Sequence, residues 1–568
     1  MISFLEKHRK LCLALLWTAV VLASIKSIFT DTGFDNAYTV AMSFRHLKGD
    51  GMFRQMWEPH QTSIFFTDFF MWLYRFLVPS YTGVMIYLQI VGTAFHAVIG
   101  FLLYRLLKTI AGSDVAQLAA AFFILFRAKQ TPFPEYANLQ IGFSVLLFLC
   151  MVSFVREQEK RRYLCFAAFF LCLEVLSYPS CLLVYFPAVL ILFFRTKERW
   201  KNIGLFTGVC ALFGGIYTGY FVCKAGPAAF IRNLRNIFYA DPHSDGAVVS
   251  VWNYFYGVIV AISWLVLCGA FTWLLMWALR RLLKRTVDFF AVYGMVLFVS
   301  ELALLFLQKK TGLDWTCTFY ILPALLMALS CSCYKDMDEL EKTVWLAGNL
   351  FALGAFLATC LLTALGLITM VPYMVLGGVV SLAALRHRKK QIWTFLFFVC
   401  GLVVMHRGLV IWGYANQKGI YLVHEADTIV RSGPCLGVIC DYNTYHRLAF
   451  DAEDHNQFIT SEDSLLLVGD WLVDSMEFLL TDADISNYST IDVPAYNELL
   501  LEYLELYPEK EPTVVAVSMS SNAMLMQDAS WIMRWVNENY DPVGEGRNWR
   551  YYRAKEGQDT SEETESAR

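Results

Sequence analysis

Hydrophobic residues dominate the first 413 positions and come in long runs separated by short polar stretches. The runs fall at about 11–29, 84–107, 115–127, 141–155, 164–177, 181–194, 203–223, 257–280, 287–307, 317–334, 343–362, 366–386 and 392–413. A helix rises 1.5 Å per residue, so about 20 apolar residues cross a hydrocarbon layer about 30 Å thick. The pattern predicts a polytopic α-helical membrane protein with about 13 transmembrane helices, several of them short. One more stretch, Ile64–Leu77, is apolar but holds Asp68 and Arg75, and reads as an interfacial helix.

Beyond position 418 the pattern changes. Apolar runs of strand length appear at 436–440, 464–470 and 513–519, with helical periodicity over Tyr496–Tyr507 and Ala523–Tyr540. This predicts a C-terminal α/β domain over 418–555 with a mostly parallel sheet. No GxGxxG, GxxxxGK[ST] or GxSxG motif occurs in it. Positions 556–568, ending in GQDTSEETESAR, read as a disordered tail.

Charge sharpens this division. The chain is 57% hydrophobic with a mean hydropathy of +0.47 and a net charge of −3. Residues 1–417 hold 36 Lys+Arg against 21 Asp+Glu, a balance of +15, while 418–568 hold 10 against 28, a balance of −18. A segment that acidic argues against nucleic acid as a partner. The basic clusters follow the positive-inside rule if the N-terminus is cytoplasmic: Lys7 to Lys10, Arg105/Lys108, Arg156 to Arg162, Arg195 to Lys201, Arg280 to Arg285 and Arg386 to Lys390. The outer loop 30–83 and the C-terminal domain are then extracytoplasmic together. The first run, without a small-residue cleavage site before Asp31, reads as an uncleaved anchor. Most of the 15 cysteines lie in apolar runs, and Cys435 and Cys440 are the one pair in the soluble part. Neither a zinc spacing nor CxxC is present, so buried thiols are expected.

Candidate chemistry concentrates in Asp31–Ser63. Carboxylates held at a membrane surface are costly unless they face water, a partner or a ligand. Asp31 and Asp35 stack on one face if the segment is helical, and Tyr38 follows at i+3. Glu58, His60 and Gln61 form a second polar knot, after the glycines that flank Asp50. Taken singly, Asp31 is more simply a helix cap or interface anchor, and His60 a ring hydrogen-bonded to backbone. Glu135, in RAKQTPFPEYANLQ, is a further carboxylate on the same face. Cations expected there are Arg127, Lys129, Lys309, Lys310, Arg232 and Arg235, whose ordinary role is snorkelling. Glu174, Glu301 and the His406–Arg407 pair lie inside apolar runs, where ionisable groups mark cavities or interhelical pairs.

Asp35-Asn36-Ala37-Tyr38, just past the first run and followed by a glycine about 11 residues on, resembles the D-E-A-Y segment of GT-C glycosyltransferases. These multi-spanning enzymes use polyprenyl-phosphate sugars and include the protein mannosyltransferase and lipid A aminoarabinose transferase groups. Phe319-Tyr320-Ile321-Leu322-Pro323 resembles their R-Y-x-L-P segment. The resemblance covers the architecture of 1–413 and leaves out the tail domain. It implies a GT-C-like membrane glycosyltransferase (hexosyl- or pentosyltransferase); cysteine usage and the single sequon at Asn487-Tyr488-Ser489 force no eukaryotic secretory origin, so a bacterial plasma membrane is the expected setting. Such an enzyme would move a sugar, with inversion, from a polyprenyl-phosphate donor to a glycan, lipid or protein acceptor of the cell envelope. Asp35 would be the general base, supported by Asp31, Tyr38, Glu58, His60, Gln61 and Glu135. Tyr320 and the six cations would hold the donor phosphate. The family leaves a divalent metal, Mg or Mn, open.

The sequence departs from the family at two points. Asn36 stands where Glu is usual, and Phe319 where Arg is usual, which removes a cation that Lys309 or Lys310 would have to replace. There is no W-W-D-Y-G segment, against an oligosaccharyltransferase. A transporter or flippase of lipid-linked sugars is the alternative; it should show mid-membrane ionisable groups and internal repeats. A third reading is a non-catalytic envelope-assembly protein.

Overall fold

The computed structural model describes residues 2–128, 131–239, 251–284, 288–311, 316–360, 366–388, 392–412, 420–469, 475–490, 498–519 and 531–555. Among the described residues each of the thirteen apolar runs lies mainly on helical segments, the last running on into a strand. Among the described residues, ten helices are long and apolar enough to cross a membrane. Ser113–Leu125, Arg162–Ser177 and Pro179–Arg195 are shorter. The break between the last two falls at Tyr178, which is extended because the residue before a proline is driven out of the helical region. Arg199–Ala225 and Val251–Leu283 expose Leu212, Ile216, Tyr220, Trp273 and Leu274, the surface expected of helices facing lipid. The chain is a polytopic helical membrane protein.

Helix Phe34–Leu47 follows the first membrane helix after a short extended link. Helix Phe65–Leu77 exposes Phe69, Trp72, Phe76 and Leu77 while Thr67 and Met71 are buried, the two-faced pattern of an interfacial helix.

The last membrane helix, Ile392–Leu409, runs directly into β1 (Val410–Trp412), which pairs antiparallel with β2 (Ile420–Leu422). β3 (Thr428–Ile429) and β4 (Ile439–Cys440) form a second small antiparallel pair. The main sheet holds β5 (Ser464–Val468), β6 (Asp484–Ile485), β7 (Val514–Ser518), β8 (Tyr540–Glu545) and β9 (Trp549–Ala554), in the order β6-β5-β7-β9-β8. β5 pairs parallel with both β6 and β7, whereas β9 is antiparallel to β7 and β8. The sheet is therefore mixed rather than mostly parallel. The expectation missed the β8–β9 hairpin because β8, YDPVGE, carries a proline and one aromatic and shows no alternation, and only Gly546-Arg547-Asn548 separate it from β9.

β5 and β7 read as unbroken apolar runs because both faces of the sheet are covered. Leu466, Val468, Val515 and Val517 pack under helices Glu498–Leu506 and Trp531–Asn539, together with Trp57 and Tyr488. Leu465, Leu467, Val514 and Ala516 belong to a cluster that also holds Ala37, Val40, Ala41 and Phe44 of helix Phe34–Leu47. One core thus joins the C-terminal domain to the segment after the first membrane helix. Cys435 and Cys440 are buried free thiols within it.

Candidate functional site

Two groups of polar side chains sit side by side where these parts meet. The first surrounds Asp35. Gly33 is extended and starts helix Phe34–Leu47, which carries Asp35 in its first turn. Tyr136 Oη donates to Asp35 Oδ1 at 3.0 Å. The Tyr136 ring stacks on His60 with centroids 3.9 Å apart and planes 10° apart, and His60 lies 5.1 Å from Tyr178. Tyr38, one turn along from Asp35, meets the edge of His60 at 6.5 Å. The structure thus brings Asp35, Tyr38 and His60 together, and adds Tyr136 and Tyr178.

The other predicted carboxylates have partners elsewhere. Asp31 is not on the Asp35 helix: it ends the preceding one in an extended conformation, and Lys26 Nζ lies 3.0 Å from its Oδ1. The i,i+4 stacking of Asp31 and Asp35 therefore does not form. Glu58 accepts from Arg45 Nη1 at 2.8 Å. Burial raises the pKa of Glu58, and Arg45 opposes the rise. Glu135 caps helix Tyr136–Arg156, accepting from the amides of Ala137 and Asn138 at 2.7 and 2.9 Å. Gln61 closes its own loop, accepting from the Phe53 amide at 2.6 Å and donating to Asn233 Oδ1 at 3.0 Å.

The second group is cationic. Arg127 is 1% exposed, and among the described residues no nitrogen of its guanidinium has a hydrogen-bond partner. Arg127 and Arg407 both lie within electrostatic reach of Asp31. Arg407 donates to the carbonyl of Leu125 at 2.6 Å, and its guanidinium lies 5.9 Å from the centroid of the Phe319 ring. Lys26 donates to the carbonyl of Val410 as well as to Asp31. Three buried or nearly buried cations therefore share the carboxylate of Asp31, an arrangement that is costly without an anion.

Phe319 occupies the position of the arginine in the R-Y-x-L-P segment. It stacks on His406 at 3.9 Å and on Phe126 at 4.8 Å, and Tyr320 follows within reach of Arg407. A cation thus stands beside this segment after all, contributed by the last membrane helix. Lys26 looks in the sequence like an isolated charge at the end of an apolar run, and Arg407 like half of an interhelical pair, so neither signals a phosphate ligand. Of the remaining cations, Arg232 lies 3.6 Å from Glu502 and Arg235 is exposed. Lys129 and the side chains of Lys309 and Lys310 fall outside the described residues.

Segments 31–36 and 127–136 hold the two groups next to each other. Thr131 Oγ1 donates to Asn36 Oδ1 at 3.0 Å, which ties the residue after Asp35 to Thr131, between Arg127 and Tyr136 in sequence. Four residues span at most about 14 Å, which bounds the separation of the Asp31 and Asp35 backbones. Asn36, in place of the family's Glu, is thus the bridge between the segments.

Helix Val84–Ala111 presses on this loop at Gly92, where an added Cβ would stand 1.9 Å from the carbonyl oxygen of Pro132. The atom in the way is backbone, so the loop must move. Gly92→Ala is expected to lower stability by about 1–3 kcal/mol and to lower turnover through displacement of Tyr136. Melting and turnover of that variant check this; wild-type behaviour in both would contradict the close approach.

A cavity of about 330 Å³ lies at the far end of helix Phe34–Leu47, between Lys48, Trp72, Arg75, Tyr81 and Asp482. It contains none of the residues around Asp35. Among the described residues no three His, Cys, Asp or Glu side chains form a group able to hold a metal ion. The nearby carboxylates of Asp31, Glu58 and Glu135 are engaged by Lys26, Arg45 and a helix N-terminus. This donor set does not fit Mg or Mn.

The C-terminal domain encloses a third cluster that sequence reasoning passed over. His455 bridges Tyr551 Oη at 2.8 Å and Glu477 at 3.1 Å, and Asn548 donates to Asp451 at 2.7 Å. Burial pushes the pKa of Asp451 up to about 8 and raises that of Glu477, while burial lowers His455 to about 4. Above the ordinary histidine pKa of about 6.5 only the carboxyls matter. There the folded domain keeps a proton that the unfolded chain has released. Stability therefore falls as pH rises from about 6.5 to 8. Asp451→Asn should flatten this dependence, measured as unfolding free energy across that range; an unchanged slope would contradict it.

The fold and these clusters define a polytopic membrane protein with a carboxylate group around Asp35 and a buried cationic group around Asp31. No protein-family model and no curated protein sequence matches the chain. Among solved structures it is similar to ArnT from Cupriavidus metallidurans bound to undecaprenyl phosphate, at 12% identity and a TM-score of 0.41, covering 95% of this chain and 97% of that one. It is also similar to the Archaeoglobus fulgidus oligosaccharyltransferase in complex with Zn and sulfate, at 11% identity and a TM-score of 0.44, covering 93% and 72%. A third is the oligosaccharyltransferase AglB from the same archaeon, in complex with an inhibitory peptide and a dolichol-phosphate, at 11% identity and a TM-score of 0.42, covering 97% and 75%. These proteins are of the GT-C group that the Asp35 segment resembles. At such scores the likeness is one of general fold, and no residue role passes from them to this chain.

Proposed function

We propose that the chain is an inverting glycosyltransferase, a hexosyl- or pentosyltransferase, that uses a polyprenyl-phosphate sugar and a glycan, lipid or protein acceptor of the cell envelope. The observation that carries this reading is the buried guanidinium of Arg127, which has no hydrogen-bond partner among the described residues and shares the carboxylate of Asp31, four residues before Asp35, with Arg407 and Lys26. Three cations and one carboxylate leave an excess of two positive charges. A sugar phosphodiester carries one negative charge, whereas the monoester released on transfer carries about 1.5 to 2 at neutral pH. The site therefore favours the leaving group over the bound donor, which is the differential stabilisation that lowers a barrier.

Asp35 takes the proton of the acceptor hydroxyl as that oxygen attacks the anomeric carbon. The bond from that carbon to the phosphate oxygen breaks, and its electron pair stays on the phosphate beside Arg127 and Arg407. A carboxylate accepts more than one hydrogen bond, so Tyr136 can orient Asp35 while the acceptor binds. Attack from the face opposite the phosphate inverts the anomeric centre. The setting is a bacterial plasma membrane with a cytoplasmic N-terminus, so the reaction runs on the outer face.

The test is a panel of polyprenyl-phosphate sugars offered to the protein in lipid nanodiscs, together with envelope acceptors. Release of polyprenyl phosphate coupled to sugar transfer is expected. Movement of intact donor across a sealed bilayer, without cleavage, would replace this reading by a flippase.

A further inference from the structure

Arg45 lies on the helix of Asp35, ten residues further on, which is about 15 Å along the axis. Its guanidinium is 1% exposed, yet every direction is engaged. It donates to Asp50 at 2.8 Å, to Glu58 at 2.8 Å, to the Gln55 carbonyl at 2.9 Å, to the Tyr488 carbonyl at 3.3 Å and to Tyr503 Oη at 3.2 Å. Tyr488 and Tyr503 belong to the C-terminal domain. Lys510 of that domain pairs with the other oxygen of Asp50. The Trp57 amide donates to the Tyr488 carbonyl at 3.1 Å, and the indole packs between Tyr488 and Tyr503.

Both sides of the Asp35 site lead back to this point. Through helix Phe34–Leu47, Arg45 is rigidly tied to Asp35. Through Glu58 it is tied to His60, two residues on, whose ring stacks on the tyrosine that donates to Asp35. Resting on the assignment of Asp35 as base, we infer that Arg45 is a positioning residue through which the C-terminal domain sets the alignment of Asp35 and Tyr136. The domain is then a working part of the transferase site. A buried guanidinium with all five N–H groups engaged fixes geometry, and a misplacement of about 1 Å at a reacting group can cost about 100-fold in rate.

The test removes the domain's two side-chain contacts to the clamp, Tyr503 Oη and Lys510, and leaves Arg45, Glu58, Asp50 and the Tyr488 carbonyl intact. Tyr503→Phe combined with Lys510→Met, in the full chain in nanodiscs, is expected to lower kcat about tenfold. KM for the donor should stay within about twofold, because the cationic group is untouched. Turnover is normalised to the fraction of protein that binds polyprenyl phosphate, so loss of folded material does not count. Hydrogen exchange over residues 34–47 should rise in parallel. Unchanged kcat per binding-competent site would overturn the inference, as would a fall in kcat that melting and exchange trace to global unfolding. If wild type transfers no sugar at all, the proposed function fails separately. Exchange then decides the clamp: faster exchange in 34–47 sustains it, and unchanged protection overturns it.

Discussion

Asp35→Asn is expected to cripple the proposed sugar transfer while leaving donor binding intact. The expected loss in kcat is about 1,000-fold, within the range of 100 to 10,000 usual for removing a general base. The substitution is close to isosteric, and the new amide oxygen can still accept the hydroxyl of Tyr136, now 3.0 Å from Asp35 Oδ1. What disappears is the capacity to take a proton from the acceptor. Donor affinity should hold because the phosphate site proposed above uses Lys26, Arg127 and Arg407, on other segments. Parallel measurement of donor affinity and single-turnover release checks both halves. Turnover equal to wild type would remove Asp35 from the mechanism, and a loss of donor affinity would place it in the binding site instead.

Arg127→Met has an unusual signature: weaker donor binding together with a more stable lipid-free protein. Most buried side chains stabilise through their partners, but Arg127 has no hydrogen-bond partner among the described residues and shares its surroundings with Arg407. Replacing such a charge by a long apolar side chain is neutral or stabilising by roughly 1–4 kcal/mol. A charge-assisted contact to phosphate is worth about 1.5–3 kcal/mol, so donor affinity should fall roughly 10- to 150-fold. Thermal melting with and without polyprenyl phosphate separates the two effects. The variant should melt higher alone and gain less from the lipid. A variant that melts lower and binds the lipid normally would make Arg127 a structural residue.

Much of the architecture was legible because hydrophobic periodicity reports burial and lipid exposure directly. Among the described residues all thirteen apolar runs became mainly helical, and the strand-length runs at 464–470 and 513–519 became the central strands β5 and β7. What failed were relations between distant segments. Asp31 and Asp35 look like one helical face by spacing, but the chain leaves the helix at Asp31 and starts another after Gly33. Glu135 looks like a second catalytic carboxylate until its role as a helix cap is seen. Arg407 reads as half of an interhelical pair, and only folding sets it over Phe319, where the sequence lacks the expected arginine. Lys26 and Tyr136 carry no local signal of function at all. The β8–β9 hairpin was lost because the helical reading stopped at Tyr540, where β8 begins.

The most direct measurement is titration of polyprenyl phosphate and its sugar-bearing form into wild type, Asp35→Asn and Arg127→Met in nanodiscs, with cleavage followed in the same samples. The account predicts three distinct patterns. Wild type binds both lipids, the monoester more tightly, and releases polyprenyl phosphate when acceptor is present. Asp35→Asn binds both and releases almost none, and Arg127→Met binds the monoester weakly. Equal binding by all three proteins, with no preference for the monoester, would contradict the assignment of a leaving phosphate to the Arg127 cluster.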